Sequence, residues 1–281
     1  MEHELHLRVQ DRLGFEIERV KRIDHGWDFA VFEVNGEWIV RVPRRPEVRE
    51  WALKEAALLP RLAPALPVPI PELAIVEDTP DSFFVAYRRL PGAPIDRTAD
   101  ARLASQLGAF LAALHDFPAT AGGVADTTVA EWLLEQEAFA KRCEDVLTLL
   151  NSSERRRAQG MFDQHLARPP DYELVLVHAD LGPEHILCQG DDVRGVIDWG
   201  DARVGDPALD FAWLLHGPDE TFAQSLLRAY ANQGGHVDDQ LTARALYFHR
   251  VGPWHEVLYG LEQDQPELVA SGLAGVRARL P

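Results

Sequence analysis

The stretch from Val177 to Trp213, together with the apolar run at residues 174–177 that leads into it, constrains the fold of this chain more than any other part of its sequence. It contains three short apolar runs rich in β-forming residues, and Gly190, Asp191 and Asp192 supply a turn between the second run and the third. The runs cover residues 174–177, 186–188 and 193–199. This pattern predicts short strands that are joined by polar loops and followed by a helix.

Two carboxylates in this stretch fall where predicted strands end or loops begin. Asp180 follows the first run, with His178 and His185 beside it, and Asp198 lies within the end of the third run. Kinase-type phosphoryl transfer needs a loop Asp to receive the hydroxyl proton, a loop ligand for Mg²⁺ and a second Asp for the metal. A lone Asp after a β-rich run is usually a turn residue. The joint spacing of these four side chains favours a catalytic and metal-binding role.

The segments HADLGPEH (178–185) and IDWGDARVGDPALDFA (197–212) resemble the catalytic core of the aminoglycoside and macrolide phosphotransferases. These are antibiotic kinases with a protein-kinase-like fold. Their usual loop reads HxDxxxxN, and this chain carries His185 at the Asn position. The variant with His resembles the macrolide 2′-phosphotransferases and the aminoglycoside 2″-phosphotransferases. This difference from the usual loop therefore favours these two subfamilies.

The resemblance implies an α+β, protein-kinase-like fold of two lobes. Residues 1–90 would form a nucleotide-binding lobe with a small N-terminal antiparallel sheet and one helix. Residues 91–281 would form a larger, mainly helical C-terminal lobe for catalysis and substrate binding. The resemblance also implies GTP or ATP as the phosphate donor and Mg²⁺ as the cofactor.

Individual side chains receive roles from the same resemblance. Asp180 is the expected catalytic base, and it needs no strongly raised pKa because the reaction depends more on positioning the hydroxyl than on early proton removal. His178 is expected to hold the loop through hydrogen bonds. His185 and Asp198 are the expected Mg²⁺ ligands. Asp201, at the rim after the metal Asp, is a candidate contact for an amine substrate.

Two further carboxylates of the segment are interpreted as structural. Asp206 precedes Pro207 at a helix start, where a carboxylate caps free N–H groups and Pro suits the first helical position. Asp210 lies inside that helix, where it can brace the catalytic loop.

Asn35 and Gly36 give the strongest hairpin signal in the chain, because they separate β-rich runs at residues 30–34 and 37–42. The turn before this hairpin contains Gly26 and resembles the loop that covers the nucleotide phosphates in kinases. Most turns with a single glycine have no such role. Residues 15–20 are a further strand candidate.

Arg41 occupies the strand position that carries the phosphate-pairing Lys of a kinase, and residues 41–48 resemble the end of the third strand in macrolide phosphotransferases. A helix is predicted from about residue 46 to residue 62, and Glu55 within it can pair with Arg41. Arginine keeps the charge and adds a bidentate fork for phosphate or carboxylate oxygens. Outside the family context both residues would be solvated charges. Arg44 is the alternative phosphate contact.

Residues 88–95 break the periodicity with two prolines and a glycine, which predicts the hinge between the lobes. In the resembling family the hinge backbone hydrogen-bonds the purine, and the neighbouring side chains decide between GTP and ATP. The corresponding residues here are Tyr87, Arg88, Arg89 and Leu90.

The remaining elements are predicted from periodicity and capping residues. The proline-rich residues 60–71 are predicted to be an extended loop, and residues 73–76 and 83–87 to be strands. Helices are predicted from Thr98 to about residue 115, from a Thr128–Glu131 capping box to about residue 150, and from Ser152 or Ser153 to the break at Pro169 and Pro170. Three or four helices are predicted after the core motif, at residues 218–232, 238–251, 254–261 and 266–279.

The late aromatic residues Tyr247, Phe248, Trp254 and Tyr259 have two interpretations. Aromatic side chains at helical spacing most often belong to the core. The alternative is a wall of the substrate cleft, which in macrolide kinases must accept a large apolar ring. Trp254 follows Pro253, where the helix is expected to break, and is the best cleft candidate.

The net charge of the chain limits the kinds of partner that it can bind. The net charge of -17 argues against binding to nucleic acid or to an anionic membrane, and it would attract cationic ligands to an acidic cleft. Solubility alone explains the charge equally well. No apolar run approaches the ~20 residues of a membrane span, and the N-terminus lacks an apolar signal core, so a cytoplasmic location is expected. A monomer is expected as well. Cys143 and Cys188 lack a spacing motif and are predicted to be buried thiols of a reducing compartment.

These observations favour an antibiotic kinase that phosphorylates a hydroxyl of a small cationic substrate. Residues 41–48 and His185 favour the 2′-hydroxyl of a macrolide amino sugar, with aminoglycoside 2″-phosphorylation second. A metabolic small-molecule kinase of the same fold is a third hypothesis, since a fold does not fix its substrate. From a different class, an inactive nucleotide-binding module is favoured by Arg41 and His185 and opposed by Asp180 and Asp198.

Overall fold

The structure, a computed structural model, describes residues 3–23, 27–79, 82–95, 100–168 and 171–281. The turn glycine Gly26, the helix cap Thr98 and the break at Pro169 and Pro170 lie outside these described residues. The strands are β1 (Val20–Ile23), β2 (Phe29–Val34), β3 (Trp38–Pro43), β4 (Leu73–Thr79), β5 (Ser82–Arg88), β6 (Ala93–Pro94), β7 (Val175–Val177), β8 (Ile186–Gln189), β9 (Asp192–Val196) and β10 (Arg203–Gly205). The helices are α1 (His3–Leu13), α2 (Pro46–Leu62), α3 (Ala101–Asp116), α4 (Ala119–Gly122), α5 (Val129–Arg142), α6 (Glu144–Thr148), α7 (Ser152–Leu166), α8 (Glu220–Asn232), α9 (Leu241–Glu262) and α10 (Pro266–Arg279).

The N-terminal sheet is antiparallel and has the order β1-β2-β3-β5-β4. The predicted hairpin is confirmed, since Asn35 (φ 51°) and Gly36 (φ 76°) form the left-handed turn between β2 and β3. The strand predicted at residues 15–20 is wrong, because the chain joins the sheet only at β1. The backbone N–H groups of Glu18 and Arg19 instead donate to the Asn35 side chain at 3.0 Å.

Helix α2 has the predicted bounds and packs its apolar face against the sheet and the C-terminal lobe. Val48, Leu58 and Leu62 on this face are buried. Pro60 lies inside the last turn and a 3-10 turn follows at Ala63–Ala65, so the loop predicted at residues 60–71 is extended only after residue 65. A proline removes one backbone hydrogen bond to the carbonyl four residues earlier, and close to a helix end little of the helix remains beyond it to be disrupted.

Two helices of the C-terminal lobe begin at caps that differ from the predicted ones. Asp100 caps α3, accepting from the N–H groups of Arg102 and Leu103. Asn151, rather than Ser152 or Ser153, caps α7 in a reciprocal capping box with Glu154. The Thr128–Glu131 capping box of α5 is confirmed, but that helix stops at Arg142 and a short helix α6 follows.

Helix α9 is continuous through Pro253, so the predicted break and the two separate helices are wrong. The carbonyl that Pro253 cannot bond belongs to His249, and it accepts a hydrogen bond of 2.7 Å from Arg279 on α10. Trp254 is therefore not at a helix end. It is fully buried and packs edge-on against Phe162 at 5.1 Å, so it belongs to the core and does not line a cleft.

The largest apolar cluster lies in the C-terminal lobe, and smaller clusters cover both faces of the N-terminal sheet. Helices α3 and α8 approach closely because Gly108 has no side chain: a Cβ there would lie 2.6 Å from the Leu226 carbonyl oxygen.

Both cysteines are free thiols, Cys143 buried and Cys188 half-buried. Within the described part of the chain, no helix has the length and apolar character to cross a membrane.

Buried His165 makes the stability of the fold sensitive to acid. Its ring stacks on Tyr247 at 3.6 Å, and burial lowers its pKa to about 4 from the ordinary 6.5. Below pH 6.5 the unfolded chain binds a proton that the folded chain does not, so stability falls with pH between 6.5 and 4. We expect a loss of roughly 2 kcal/mol from pH 7 to pH 5 at this site. In urea titrations at both pH values, His165→Phe should reduce the loss by that amount; an unchanged loss would contradict the assignment.

Candidate active site

The loops that follow β7 and β9 carry the predicted catalytic and metal-binding residues. They are joined by backbone contacts: the Ile197 N–H donates to the His185 carbonyl at 2.9 Å, and His178 Nε2 lies 3.0 Å from the Ile197 carbonyl oxygen. His185 lies between the two carboxylates, with Nδ1 3.4 Å from Asp180 Oδ2 and Nε2 3.5 Å from Asp198 Oδ2. The structure therefore brings the four residues of the sequence pattern into one site.

His178 holds the candidate catalytic loop from within. The side chain is fully buried, its Nδ1 accepts from the Asp180 N–H at 3.3 Å, and its Nε2 is placed to donate to the Ile197 carbonyl oxygen. These contacts require the neutral ring with its proton on Nε2. Burial lowers the pKa of His178 and so favours that neutral form. A ring bonded to backbone at both nitrogens positions the loop rather than contacting a substrate.

Asp210 clamps the same loop from the segment after β10. Its carboxylate is fully buried and accepts from the backbone N–H groups of His178 (3.0 Å) and Ala179 (2.9 Å), and His115 Nε2 lies 3.1 Å away. Asp206, four residues earlier, accepts from the Ala208 N–H and pairs with buried Arg244. The structural interpretation of both carboxylates is confirmed, but the helix predicted after Asp206 is wrong: only a 3-10 turn forms at Pro207–Leu209, and Asp210 lies just after it.

Two residues of the site have left-handed backbone conformations that are unusual without glycine. Ala179 has φ 68° and Asp198 has φ 65°. Such conformations cost of order 1–3 kcal/mol and persist where surrounding contacts over-determine them. For Ala179 the contact is the Asp210 carboxylate. The clamp thus supports a strained loop whose next residue is Asp180.

Replacing Asp210 by Asn should loosen this loop. One acceptor oxygen becomes an NH₂ group that faces a backbone donor, so a buried N–H loses its partner. We expect Asp210→Asn to lower the free energy of unfolding by about 2–3 kcal/mol. Thermal denaturation measures the loss. Asp145→Asn, at an exposed position on α6 whose side chain makes no described hydrogen bond, is the control and should change stability by less than about 0.5 kcal/mol. Equal effects of the two substitutions would contradict the clamp.

Asp180 is the half-exposed carboxylate of the site. Its side chain is 53% exposed, whereas His185 beside it is 15% exposed. Removal of water at the cleft wall raises the pKa of Asp180, and the Asp198 and Glu184 carboxylates add to this effect while His185 and His178 oppose it. A raised pKa makes this carboxylate a better proton acceptor and leaves it accessible to a hydroxyl group.

Asp198 and His185 offer donors for a cation. Burial favours the neutral form of Asp198, but the charges of Arg41 and His185 outweigh it and lower its pKa, so the carboxylate is ionised at neutral pH. His185 Nδ1 lies 2.7 Å from the Asp180 carbonyl oxygen, and in the neutral ring this bond leaves the Nε2 lone pair facing Asp198 Oδ2. Burial lowers the pKa of His185, and the Asp198 and Asp180 carboxylates raise it by more.

These two side chains fit Mg²⁺ only as part of a site that phosphate completes. No group of three or more His, Cys, Asp or Glu side chains among the described residues is arranged to hold a metal ion. Mg²⁺ commonly keeps several waters and takes one or two carboxylates together with substrate phosphates. The ionised Asp198 carboxylate matches this preference, whereas the His185 imidazole is a less favoured donor for a hard cation.

Arg41 joins the two lobes inside the cleft. Its Nη1 donates to both carboxylate oxygens of Glu55 on α2 at 2.8 Å, and its Nη2 donates to Asp198 Oδ1 at 2.9 Å. The Phe29 ring covers the guanidinium at 4.0 Å. The predicted Arg41–Glu55 ion pair is confirmed, and the interpretation of both as solvated charges is wrong, since both are buried. The contact to Asp198 and the cover by Phe29 were not predicted.

Arg44 lies near the same strand ends but bonds the protein. Its Nε donates to the Phe29 carbonyl oxygen at 3.2 Å, and its backbone N–H donates to the Asp28 carbonyl at 2.8 Å. Its role as the alternative phosphate contact stays a prediction.

The predicted hinge residues lie where β5 ends. The Tyr87 side chain is buried, the Arg88 side chain pairs with Glu37 at 2.5 Å, and Arg89 Nε lies 3.2 Å from Glu33. The Arg89 N–H already donates to the Glu37 carbonyl at 2.7 Å. A purine contact would therefore have to use other backbone groups of the hinge, such as those of Leu90.

Asp201 is exposed at the rim of the cleft. Loss of water in this crowded region and the nearby carboxylates of Asp180, Asp198 and Asp28 raise its pKa to about 6. The surplus of negative charge at the rim would favour a cationic group.

Of the late aromatic residues, Tyr247, Phe248 and Trp254 are core residues, and Tyr259 is the half-buried one that reaches the N-terminal lobe.

A model of the phosphotransferase enzyme family (APH) matches residues 19–246. The chain belongs to this family. The phosphotransferase is 27% identical to viomycin phosphotransferase of Streptomyces vinaceus over 214 residues, 72% of each chain. The resemblance seen in residues 178–185 and 197–212 is therefore confirmed.

Solved structures give the same result for the fold. The phosphotransferase superposes on the GDP and kanamycin complex of APH(2″)-IIIa with a TM-score of 0.87 and 25% identity, covering 99% of this chain and 98% of the other. It superposes on the apoenzyme of macrolide 2′-phosphotransferase MphH from Brachybacterium faecium with a TM-score of 0.77 and 28% identity, covering 96% and 97%. The α+β, protein-kinase-like fold of two lobes is confirmed, and both acceptor classes of the prediction occur among the similar proteins.

Proposed function

We propose that the phosphotransferase transfers the γ-phosphate of GTP or ATP to a hydroxyl of a small cationic antibiotic, with Mg²⁺ as cofactor. The observation that carries this proposal is the accessible Asp180 carboxylate on a braced loop beside the ionised Asp198. Residues 1–90 would bind the nucleotide, and residues 91–281 would supply the catalytic loop and the acceptor site. The reaction would take place in the cytoplasm, where the donor nucleotide is available.

Asp180 would accept the hydrogen bond of the acceptor hydroxyl and take its proton as the new O–P bond forms. Because this transition state is loose, the main contribution of the residue is to orient the hydroxyl toward the phosphorus. His178 and Asp210 would keep the carboxylate at a fixed position through the loop backbone. Asp180 is thus the catalytic residue, and the other two are positioning residues.

Asp198 and His185 would hold Mg²⁺, which when bound neutralises charge that develops on the phosphate oxygens. Arg41 would hold Asp198 through Oδ1 and leave Oδ2 for the metal. Its guanidinium already makes three hydrogen bonds to carboxylates, so we assign it to the positioning of Asp198 and Glu55. The donor phosphates would then be bound by the metal and by backbone groups of the N-terminal lobe.

The macrolide 2′-hydroxyl is the preferred acceptor in this proposal, and the aminoglycoside 2″-hydroxyl is the second candidate. Support for the macrolide comes from residues 41–48, His185 and the 28% identity to MphH. Support for the aminoglycoside comes from the higher TM-score to a structure that contains kanamycin, and the GDP in that complex favours GTP as donor. Both acceptor classes carry amines, which suits the acidic rim at Asp201.

Mass spectrometry tests this proposal directly. A macrolide such as erythromycin and an aminoglycoside such as gentamicin are each incubated with the protein, Mg²⁺ and either GTP or ATP. Addition of one phosphate to erythromycin alone supports the macrolide acceptor, and addition to gentamicin alone supports the second candidate. Nucleotide hydrolysis with neither product would indicate a metabolic kinase of another acceptor. An absence of any hydrolysis would favour an inactive nucleotide-binding module.

A further inference from the structure

A second contact between the lobes lies outside the Arg41–Asp198 ion pair. The Trp27 ring, just before β2, stacks on the Tyr259 ring of α9 with a centroid distance of 4.6 Å and an angle of 7° between the planes. Arg45 completes the contact: Nη1 donates to the Tyr259 hydroxyl and to the Trp27 carbonyl oxygen, each at 3.1 Å. We call these three residues the outer contact.

Arg45 is held in place before it meets Tyr259. Its Nη2 donates to Asp28 Oδ1 at 2.5 Å and its Nε donates to Glu47 Oε1 at 2.8 Å. Arg45 is also the N-cap residue, directly before the start of α2 at Pro46. The guanidinium is therefore a fixed part of the N-terminal lobe, and its bond to the Tyr259 hydroxyl joins that lobe to α9 with little loss of side-chain freedom.

The outer contact is connected to the ion pair inside the cleft through β2 and α2. Phe29, two residues after Trp27, covers the Arg41 guanidinium at 4.0 Å. Glu55, the main partner of Arg41, lies on α2, the helix that Arg45 directly precedes. A shift of Trp27 relative to Tyr259 would therefore move the Phe29 ring that covers Arg41. It would also move α2, which carries Glu55.

We propose that Trp27, Arg45 and Tyr259 form a positioning contact that sets the separation of the lobes for phosphoryl transfer. At the separation seen here Arg41 reaches Asp198 across the cleft, and the donor phosphate would face the hydroxyl held by Asp180. This inference rests on the proposed phosphotransferase activity and adds residues remote from the reacting atoms. A misplacement of about 1 Å between reacting groups can reduce turnover about 10²-fold. A contact that sets the separation of the lobes can therefore change the rate of phosphoryl transfer.

Tyr259→Leu, Trp27→Leu and the double variant test the contact. We expect each single change to lower kcat/KM about 10-fold and to weaken GTP binding, measured by calorimetry, about 5-fold. Tyr259→Phe keeps the stack and loses only the bond to Arg45, so a decrease of about 3-fold is expected. Because the two rings act together, the double variant should be no worse than either single one. Leu261→Ala, at an exposed position of the same helix, is the control and should match the parent.

Three outcomes would overturn the proposal. The first is parent-like kcat/KM and GTP affinity in Tyr259→Leu, and the second is a double variant whose loss is the product of the single losses. The third is a lowered Tm with unchanged kinetic constants per folded molecule, which indicates a merely structural role. Parent protein that binds GTP but phosphorylates neither antibiotic would contradict the proposed acceptor only, and the GTP affinities of the variants would then decide on the outer contact.

Discussion

Asp180→Asn should abolish most phosphoryl transfer and leave the protein folded with its nucleotide affinity intact. Asparagine has the shape of the aspartate and can be placed on the same loop, but it cannot take up the hydroxyl proton. General bases contribute typically 10²–10⁴-fold to a rate, and we expect a decrease of turnover in that range. The side chain is half-exposed, so its replacement should cost little stability. Initial rates with the acceptor found by mass spectrometry, together with GTP binding by calorimetry, give the two required quantities.

Glu184→Gln is the matched control for this experiment. Glu184 is an exposed carboxylate four residues along the same loop, and its charge is one of those that raise the pKa of Asp180. Its neutralisation changes the field at Asp180 and removes no proton acceptor at the cleft, so turnover should change less than about 3-fold. Retention of more than a tenth of the parent turnover in Asp180→Asn would show that Asp180 is not the base.

Arg41→Met should cause the largest loss of stability that a single change in the cleft can produce. The substitution leaves the Glu55 carboxylate, which is 1% exposed, without its cationic partner. Removal of one member of a buried ion pair typically costs 3–5 kcal/mol because the other charge stays buried and uncompensated. We therefore expect a decrease of about 3–5 kcal/mol in the free energy of unfolding in urea. Asp198 also loses its partner, but its side chain is 46% exposed and keeps access to water. Its contribution to the loss of stability should therefore be smaller.

The double variant Arg41→Met/Glu55→Leu separates this effect from simple loss of packing. With both charges replaced by apolar side chains, most of the lost stability should return, because no buried charge is left unpaired. Arg88→Met breaks an exposed pair, with side chains of Arg88 and Glu37 62% and 67% exposed, and should cost less than about 1 kcal/mol. A single Arg41→Met variant as stable as Arg88→Met would contradict the buried pair.

The sequence predicted correctly that Asp180, His185 and Asp198 lie close together, because this information is contained in their spacing along the chain. Asp180, His185 and Asp198 lie on two loops whose strands are adjacent in the chain, so their separation in sequence limits their separation in space. The Arg41–Glu55 pair was also predictable, from the order of a strand and the helix after it. In each case the residues that meet belong to neighbouring elements.

The errors have a different origin, in side-chain contacts that spacing along the chain does not specify. Phe29 gives no signal in the sequence that it will cover Arg41. The continuity of α9 depends on Arg279, which supplies the hydrogen bond that Pro253 cannot make. Helical spacing did not identify which of the late aromatic residues contacts the other lobe. Tyr259 makes this contact because it lies next to Trp27, which is 232 residues earlier in the chain. Trp27 and Arg45 offered only one possible clue, their place beside the predicted phosphate loop and helix start.

The outer contact also gives the protein an intrinsic optical reporter. Of its seven tryptophans, Trp27 is 38% exposed, Trp51 and Trp213 are half-buried, and Trp38, Trp132, Trp199 and Trp254 are buried. A collisional quencher such as acrylamide would reach Trp27 most readily, and its access would rise when the indole leaves the Tyr259 ring. Unlabelled nucleotides and antibiotics could then be screened by quenching alone, with Tyr259→Leu as the reference for the separated rings.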